Sequence, residues 1–432
     1  MLSLLIVLAI LVAVVIGYKT KINTGLVAMA FSYLIGAFLM GLKPKEIIGG
    51  WPITTMFVIF SVSLFYNFAL LNGTLEKTAR SLLYSCRKFP ALLPFALYFA
   101  SAIIAALGAG FFTVMAFMAP ITLLICKEAE MDELIGAVAV NCGALSGANF
   151  MTSGSGVIFR GLIDEAGLVN DSFSISIVIF ISSVIFSLLL ISLFMILGKR
   201  KMGEINAEKF TKPEKFDEKQ KFNLLLMILM IVILLTFPIL NIIVPNNELI
   251  GYMNSKMDVG LVAIIFSLIA LFTGMADEKE AIAKVPWNTI IMICGVGMSI
   301  SIAIKAGTID LLASWASGNL PVWIIPLAFS LIGAIMSFFS STLGVVCPAL
   351  FPIVPVIAEG TGINPLILFT AIVIGAQSSA ISPFSSGGSL ILGSCTEEEE
   401  RENMFSRLLF IAVPISVLSA TLYNFVLGLI LF

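Results

Sequence analysis

Two short stretches hold most of the side chains that could do chemistry inside this apolar chain. One is NCGALSGANFMTSGSG, residues 141–156; the other is GAQSSAISPFSSGG, residues 375–388. Both are runs of Ser, Thr, Asn, Gln and Gly between hydrophobic segments. That composition predicts backbone that leaves the helix in mid-membrane, which survives only where it lines a cavity or binds something. A half-helix ending at such a break presents carbonyl oxygens, which together with Ser, Thr and Asn oxygens suit Na⁺. A half-helix starting there presents free N–H groups and a positive dipole end, which suit a carboxylate. The candidate substrate ligands are therefore Ser146, Asn149, Thr152, Ser153 and Ser155 in the first stretch and Ser382, Ser385 and Ser386 in the second. The candidate cation ligands there are Asn141, Ser378 and Gly387.

Two further polar tips interrupt long apolar runs, LGAGFFT at 107–113 and FSSTLG at 339–344. The second offers Ser340, Ser341 and Thr342 to a substrate; Gly110, Thr113 and Ser341 are candidates for the cation. Any one of these serines could equally cap a helix or let two helices approach closely. Four such loops, two in each half, are harder to explain by packing. Arg160 follows the first break by one helical turn, so it is either the counter-charge to an anionic substrate or an i,i+4 partner of Asp164.

Other chemistries are excluded by what is missing. The chain has no histidine, and its six cysteines show no CxxC spacing, which removes zinc and haem sites and the commonest proton relay. No transition metal and no cofactor are expected, Na⁺ being the coupling ion. No carboxylate falls at the centre of any predicted span, which argues against a proton antiporter. With no paired intramembrane aspartates either, an intramembrane enzyme is disfavoured.

The elements that must position these loops are transmembrane helices. Hydrophobic residues make up 59% of the chain and charged ones 12%, far from soluble composition. The mean hydropathy is +1.09. Predicted spans cover 2–16, 23–42 and 52–71, the first read as a helix and not as a signal peptide. An amphipathic piece follows at 72–89, then a hairpin at 91–125, a broken segment at 132–169 and a closing span at 172–197. After a polar linker the order returns with spans at 222–244, 258–275 and 286–304, an amphipathic piece at 305–318, a hairpin at 322–358, a broken segment at 364–395 and a last span at 404–431.

The two halves keep register. WPITTMFVIF and VPWNTIIMIC align with Pro286 − Pro52 = 234, and GALSGA and GAQSSA with Gly375 − Gly143 = 232. Placing the linker in the cytoplasm puts 19 of the 24 Lys and Arg residues inside, as the positive-inside rule requires. Both termini are then outside, and each half crosses an odd number of times. The fold class expected is an all-α polytopic membrane protein with an inverted-topology repeat, two re-entrant hairpins and two broken helices.

That layout, with SPFSSGG at 382–388 and FSSTLG at 339–344, resembles the ion transporter superfamily, and within it the divalent anion/sodium symporters and the malonate carrier-like dicarboxylate permeases. The hairpin-tip Ser-Asn-Thr of that family stands here as Ser340, Ser341 and Thr342. Hairpin one departs from it, with Gly108, Ala109 and Gly110 in place of a second such tip, and no GTPPN-like string follows either break. The resemblance implies an elevator-type homodimeric carrier. Residues 1–71 and 223–304 would be scaffold, 72–89 and 305–318 hinged arms, 90–198 and 319–432 the moving transport domain, and 199–222 the cytoplasmic linker. The expected function is secondary transport of a small di- or tricarboxylate with Na⁺ across the inner (plasma) membrane, with the lipid bilayer as surroundings and no nucleic acid as partner. The alternatives are a cation/proton antiporter of the same superfamily and the membrane subunit of a binding-protein-dependent carboxylate system.

Overall fold

In lipid a chain must satisfy its backbone within each segment, so an apolar chain with punctuated runs is expected to be all helix. The computed structural model describes residues 2–20, 22–86, 92–198, 214–244, 247–395 and 397–431, with no strand among them. Among the described residues, seven helical stretches are long and apolar enough to cross a membrane, or eight if the bent pair Glu248–Lys256 and Val259–Phe272 counts as one. The chain is thus a multi-pass membrane protein. The end of the first arm, residues 87–89, the linker residues 199–213 and Thr396 lie outside the described residues.

Helix starts recur at the offsets seen in the sequence. The helices Ile53–Leu71 and Trp287–Lys305 begin 234 positions apart, as do the arms Thr74–Cys86 and Thr308–Asn319. Each arm follows a left-handed glycine, Gly73 with φ 75° and Gly307 with φ 67°, a backbone state that costs an L side chain energy. Further on, Leu93–Ile104 and Ile325–Phe339, Glu133–Ala148 and Pro365–Ser378, and Gly154–Glu165 and Ser386–Gly393 each begin 232 apart.

The segment 93–128 folds back on itself. A Cβ on Gly143 would overlap the Tyr98 carbonyl and one on Gly147 the Ala102 carbonyl, so Leu93–Ile104 runs parallel to Glu133–Ala148. A Cβ on Gly136 would overlap Cys126 Sγ, and Gly110–Glu128 is joined to the same helix by a four-residue turn, so that arm runs antiparallel. The reversal is made by Gly108 (φ 97°, ψ 3°) and Gly110 (φ 71°, ψ 161°). In the second half a Cβ on Gly375 would overlap the Ser330 carbonyl. Ser379 Oγ donates to the Ala334 carbonyl at 2.8 Å, so the second hairpin meets its helix as the first does.

The polar stretches are less interrupted than their composition predicts. Helix continues through Ala148 and Ser378, leaving only 149–153 and 379–385 irregular. The serines at the ends of these helices are accommodated within them, Ser146 and Ser378 donating to carbonyls of their own helix at Cys142 (2.6 Å) and Gly375 (2.6 Å). At the end of the molecule remote from the breaks, Arg407 Nη2 donates to both carboxylate oxygens of Asp132 at 2.7 Å, a charge-assisted link between the halves.

The backbone contacts at Gly143, Gly147 and Gly375 make a direct test. Gly147→Ala or Gly375→Ala should lower the apparent Tm of the detergent-solubilised protein, since an inserted methyl group facing backbone costs about 1–3 kcal/mol. Gly393→Ala, which meets nothing within 4 Å, should leave Tm unchanged or raise it slightly. Equal effects at all three positions would contradict this packing.

Candidate functional site

The two breaks are bound to each other by a reciprocal amide pair. Asn149 Nδ2 donates to Gln377 Oε1 at 2.9 Å, and Gln377 Nε2 returns a bond to Asn149 Oδ1 at 2.8 Å. Asn149 also donates to Ser183 Oγ at 2.7 Å, and its side chain is fully buried. In a dry interior such a closed set of bonds is strongly favoured over leaving either amide alone. Break one is tied to hairpin one by Ser153, whose hydroxyl donates to the Ala105 carbonyl.

Both new half-helices start with a serine at the N-cap position, in extended geometry: Ser153 at φ −93°, ψ 172° and Ser385 at φ −100°, ψ 171°. Neither hydroxyl caps its helix. Ser153 uses its hydroxyl on Ala105, and Ser385 donates to the Ala380 carbonyl. The helices that lead into the breaks are treated differently: Asp132 accepts from the Leu134 N–H at 2.9 Å and Asn364 from the Leu366 N–H at 3.0 Å. The peripheral starts are capped, and the two central starts are left without a side-chain acceptor, which is the condition for binding an anion there.

Both uncapped starts open on one cavity. Ser155, Ser385 and Ser386 line it with Ser340, Ser341 and Thr342 of the second tip. Ser341 is the N-cap of the segment that follows, its Oγ accepting from the Gly344 N–H at 3.1 Å, while Ser340 donates to the Met336 carbonyl and Thr342 shares a 2.8 Å bond with Ser337. Gln377, Phe111, Phe112, Leu145 and Leu343 are also part of its walls. A second, larger cavity shares Phe111, Phe112, Ser155 and Leu343 with it. Gly110, Thr113, Tyr66 and Asn67 line that cavity, with the exposed Lys284 among them.

Of the residues expected to bind substrate, Ser155, Ser340, Ser341, Thr342, Ser385 and Ser386 therefore converge. Ser146, Asn149, Ser153 and Ser382 are fully buried and engaged with the protein itself, Ser382 accepting from the Phe384 N–H at 3.2 Å. Thr152 is also fully buried, its hydroxyl beside the Tyr66 phenol. Among the cation candidates, Asn141 and Ser378 line a third, small cavity, and Asn141 Oδ1 is buried with no partner. A Cβ on Gly387 would overlap both Asn141 Oδ1 and the Ala380 carbonyl, so only glycine lets these two oxygens approach the same point. Gln377 and the two phenylalanines were not singled out in the sequence, although Gln377 lies within a stretch that was; its role needed the distant Asn149 to be seen.

Arg160 is not part of this convergence. It faces a separate cavity of about 690 Å³ with Asp164, Thr55 and Asp258, its guanidinium 5.2 Å from the Phe173 ring centroid. The i,i+4 ion pair with Asp164 is not formed: Arg160 Nε and Asp164 Oδ1 are both buried without a partner.

The amide bridge can be tested by a double-mutant cycle. Asn149→Leu and Gln377→Leu should each lower stability by about 1–3 kcal/mol, because each strands a buried amide, and the double variant should lose less than the sum. Additive losses in thermal unfolding would mean the pair is not coupled.

Comparisons with known proteins agree with this architecture. The family model described as "Dicarboxylate carrier protein MatC N-terminus" matches residues 1–148 and 224–380, one stretch in each half and more than two thirds of the chain. No curated protein matches. Among solved structures, the YdaH transporter of Alcanivorax borkumensis, reported for its unusual topology, has a TM-score of 0.55 at 14% identity over 88% of this chain and 86% of that one. MtrF of Neisseria gonorrhoeae, reported to illuminate a class of antimetabolite efflux pumps, has a TM-score of 0.55 at 14% identity over 93% of this chain and 85% of its own. At that identity the likeness is one of fold. With both halves matched and a helical membrane fold shared with two transporters, the chain belongs to the MatC dicarboxylate carrier family and is a membrane carrier, not an enzyme.

Proposed function

We propose that the chain is a secondary active carrier, with an elevator mechanism, that moves a short dicarboxylate together with Na⁺. The observation that carries this reading is the pair of uncapped half-helix starts, at Ser155 and Ser386, opening on one cavity beside the hydroxyl tip at 340–342. Two N–H ends with positive dipoles suit the two carboxylates of one small molecule. Lys284 on the neighbouring cavity would draw a dianion towards it. For Na⁺, the reading takes Asn141 Oδ1 and the Ala380 carbonyl at Gly387, with Ser378 nearby.

In proteoliposomes an inward Na⁺ gradient should drive uptake of malonate or succinate, and Asn141→Ala should raise the Na⁺ half-saturation about tenfold or more, the scale of one lost charge-assisted contact. No gradient-driven uptake of any C3 to C6 carboxylate would overturn the carrier reading for this site. Uptake indifferent to Na⁺ would remove the coupling.

The elevator part rests on where the hairpin tips meet the two central helices. Gly108 lies against the Tyr66 ring and Gly344 against Met292, because a Cβ at either would overlap those side chains. Tyr66 is 13 residues after Ile53, and Met292 is 13 residues before Lys305. If the repeats are inverted, both tips stand at the same depth, four residues or about 6 Å to the linker side of the helix midpoints at 1.5 Å per residue. Exchanging the roles of the repeats gives the opposite state. There Ser340, the counterpart of Gly108, would face Ile300, and Phe112, the counterpart of Gly344, would face Val58, after a travel of about 12 Å. In this reading 1–71 and 223–304 form the scaffold of a homodimer, and Gly73 and Gly307 are the hinges. In a cysteine-free background, S340C/I300C and V58C/F112C should cross-link only in conditions that favour the outward state. If neither pair links with or without substrate and Na⁺, the tips do not travel.

A further inference from the structure

The cavity is asymmetric in a way that its symmetric backbone does not require. At equivalent positions the second half has Ser340, Thr342 and Gln377 where the first has Gly108, Gly110 and Leu145. Leu343 and Gly344 answer to Phe111 and Phe112. The polar groups of the cavity therefore come from the second hairpin, the second break and Ser155, while Phe111, Phe112 and Leu145 present hydrocarbon from the first half. The two phenyl rings pack edge to face with centroids 5.4 Å apart. Phe111 Cζ lies 3.2 Å from where a Cβ of Gly387 would be, so this ring packs beside the first turn of the half-helix Ser386–Gly393. Phe112 lines both cavities and is 44% exposed, a large apolar side chain where the second half has only Gly344.

We infer that this wall selects the substrate class within the dicarboxylate reading on which the inference rests. The carrier takes short dicarboxylates whose connecting carbons are purely hydrocarbon, accepts a small alkyl branch there, and discriminates against acids hydroxylated at that position. With the carboxylates drawn to the polar ends of the cavity, the connecting carbon faces Phe112 and Leu145. A hydroxyl on that carbon would leave water for a surface with no donor or acceptor, whereas a methyl group of nearly the same size would gain contact. Phe111, Phe112 and Leu145 are thus specificity-determining residues, and Leu145 is the sharpest of them, since its counterpart Gln377 shows that an amide can be built at this position of the fold.

The test uses isosteric competitors against labelled malonate uptake by the full-length protein in proteoliposomes, with thermal shift as a second readout that does not need turnover. Methylmalonate should compete within a few-fold of malonate, and hydroxymalonate should compete about 10- to 100-fold more weakly than methylmalonate, the range for one misplaced polar group in a pocket. Leu145→Gln and, separately, Phe112→Ser should narrow or reverse the ratio between the two competitors. Using two variants guards against one that does not fold. If malonate is carried or bound but hydroxymalonate competes as well as methylmalonate, the inference fails and the carrier reading stands. A wild-type preference unchanged in both folded variants would also overturn it. If malonate is neither carried nor bound, the dicarboxylate reading fails and this inference falls with it.

Discussion

The rest of the structure depends on a single constraint: a helix interrupted inside hydrocarbon has to hand its free backbone and side-chain polar groups to other parts of the protein, because no solvent is there to take them. Here that is done by linking interruptions to one another. Asn149 and Gln377 join the two breaks, Ser153 joins break one to the Ala105 carbonyl of hairpin one, and Ser379 joins break two to the Ala334 carbonyl of hairpin two. The two breaks and the two hairpins are thereby linked by hydrogen bonds. The groups left over are as informative as the groups paired. Because Ser153 and Ser385 use their hydroxyls for this internal bonding, the N–H groups at the start of their helices face the cavity uncapped. The demand for internal satisfaction and the capacity to bind an anion thus have the same origin in two serines.

How tightly this unit packs follows from the absence of side chains at chosen points. Gly143 and Gly375 bring helix against hairpin backbone at equivalent places in the two halves. The next contact along differs in chemistry but not in position. Gly147 meets the Ala102 carbonyl by having no side chain, and Ser379, its counterpart, meets the Ala334 carbonyl by donating to it. In a membrane interior, where association relies on close packing and interhelical bonds more than on exclusion of water, these are two solutions to one spacing problem.

Much of the fold was legible because it is written twice. The offsets of 234 and 232 residues follow from short motifs such as GALSGA and GAQSSA, and the helix starts keep those offsets. Gly108 and Gly110 marked the first reversal for the reason that they perform it: their backbone angles suit glycine. The extent of each break was not legible, since Ser146 and Ser378 can bond carbonyls of their own helix and so look like helix breakers without being so. Nor was the division between serines that line the cavity and serines bonded within the protein. Ser382 and Ser386 are four residues apart in one motif, yet one is fully buried in a local turn and the other is exposed in the cavity. That difference is set by where the chain turns between them. Arg160 shows the same limit, because its distance from the break in sequence said nothing about the side of the helix on which it would emerge.

A repeated backbone also constrains how such a site can evolve specificity. Helix ends supply their N–H groups and dipoles in both halves alike, whatever the side chains, so the two central starts are a fixed feature of the architecture. Only the side chains between them can distinguish one anion from another. Of the equivalent pairs that differ around the cavity, five set the apolar wall of the first half against the second: Gly108 and Ser340, Gly110 and Thr342, Phe111 and Leu343, Phe112 and Gly344, and Leu145 and Gln377. The first-half member of every pair is apolar. The second-half member is polar in three of them, and in the other two it is Leu343 or the space left by Gly344. Since Gln377 is also needed for the bridge to Asn149, it cannot change without loosening the two breaks, whereas Leu145 bears no such duty. A substitution at Leu145 can therefore change the wall of the cavity without cost to the bridge, whereas one at Gln377 changes both, so in the proposed site the first-half wall is the one on which specificity can vary independently of the fold.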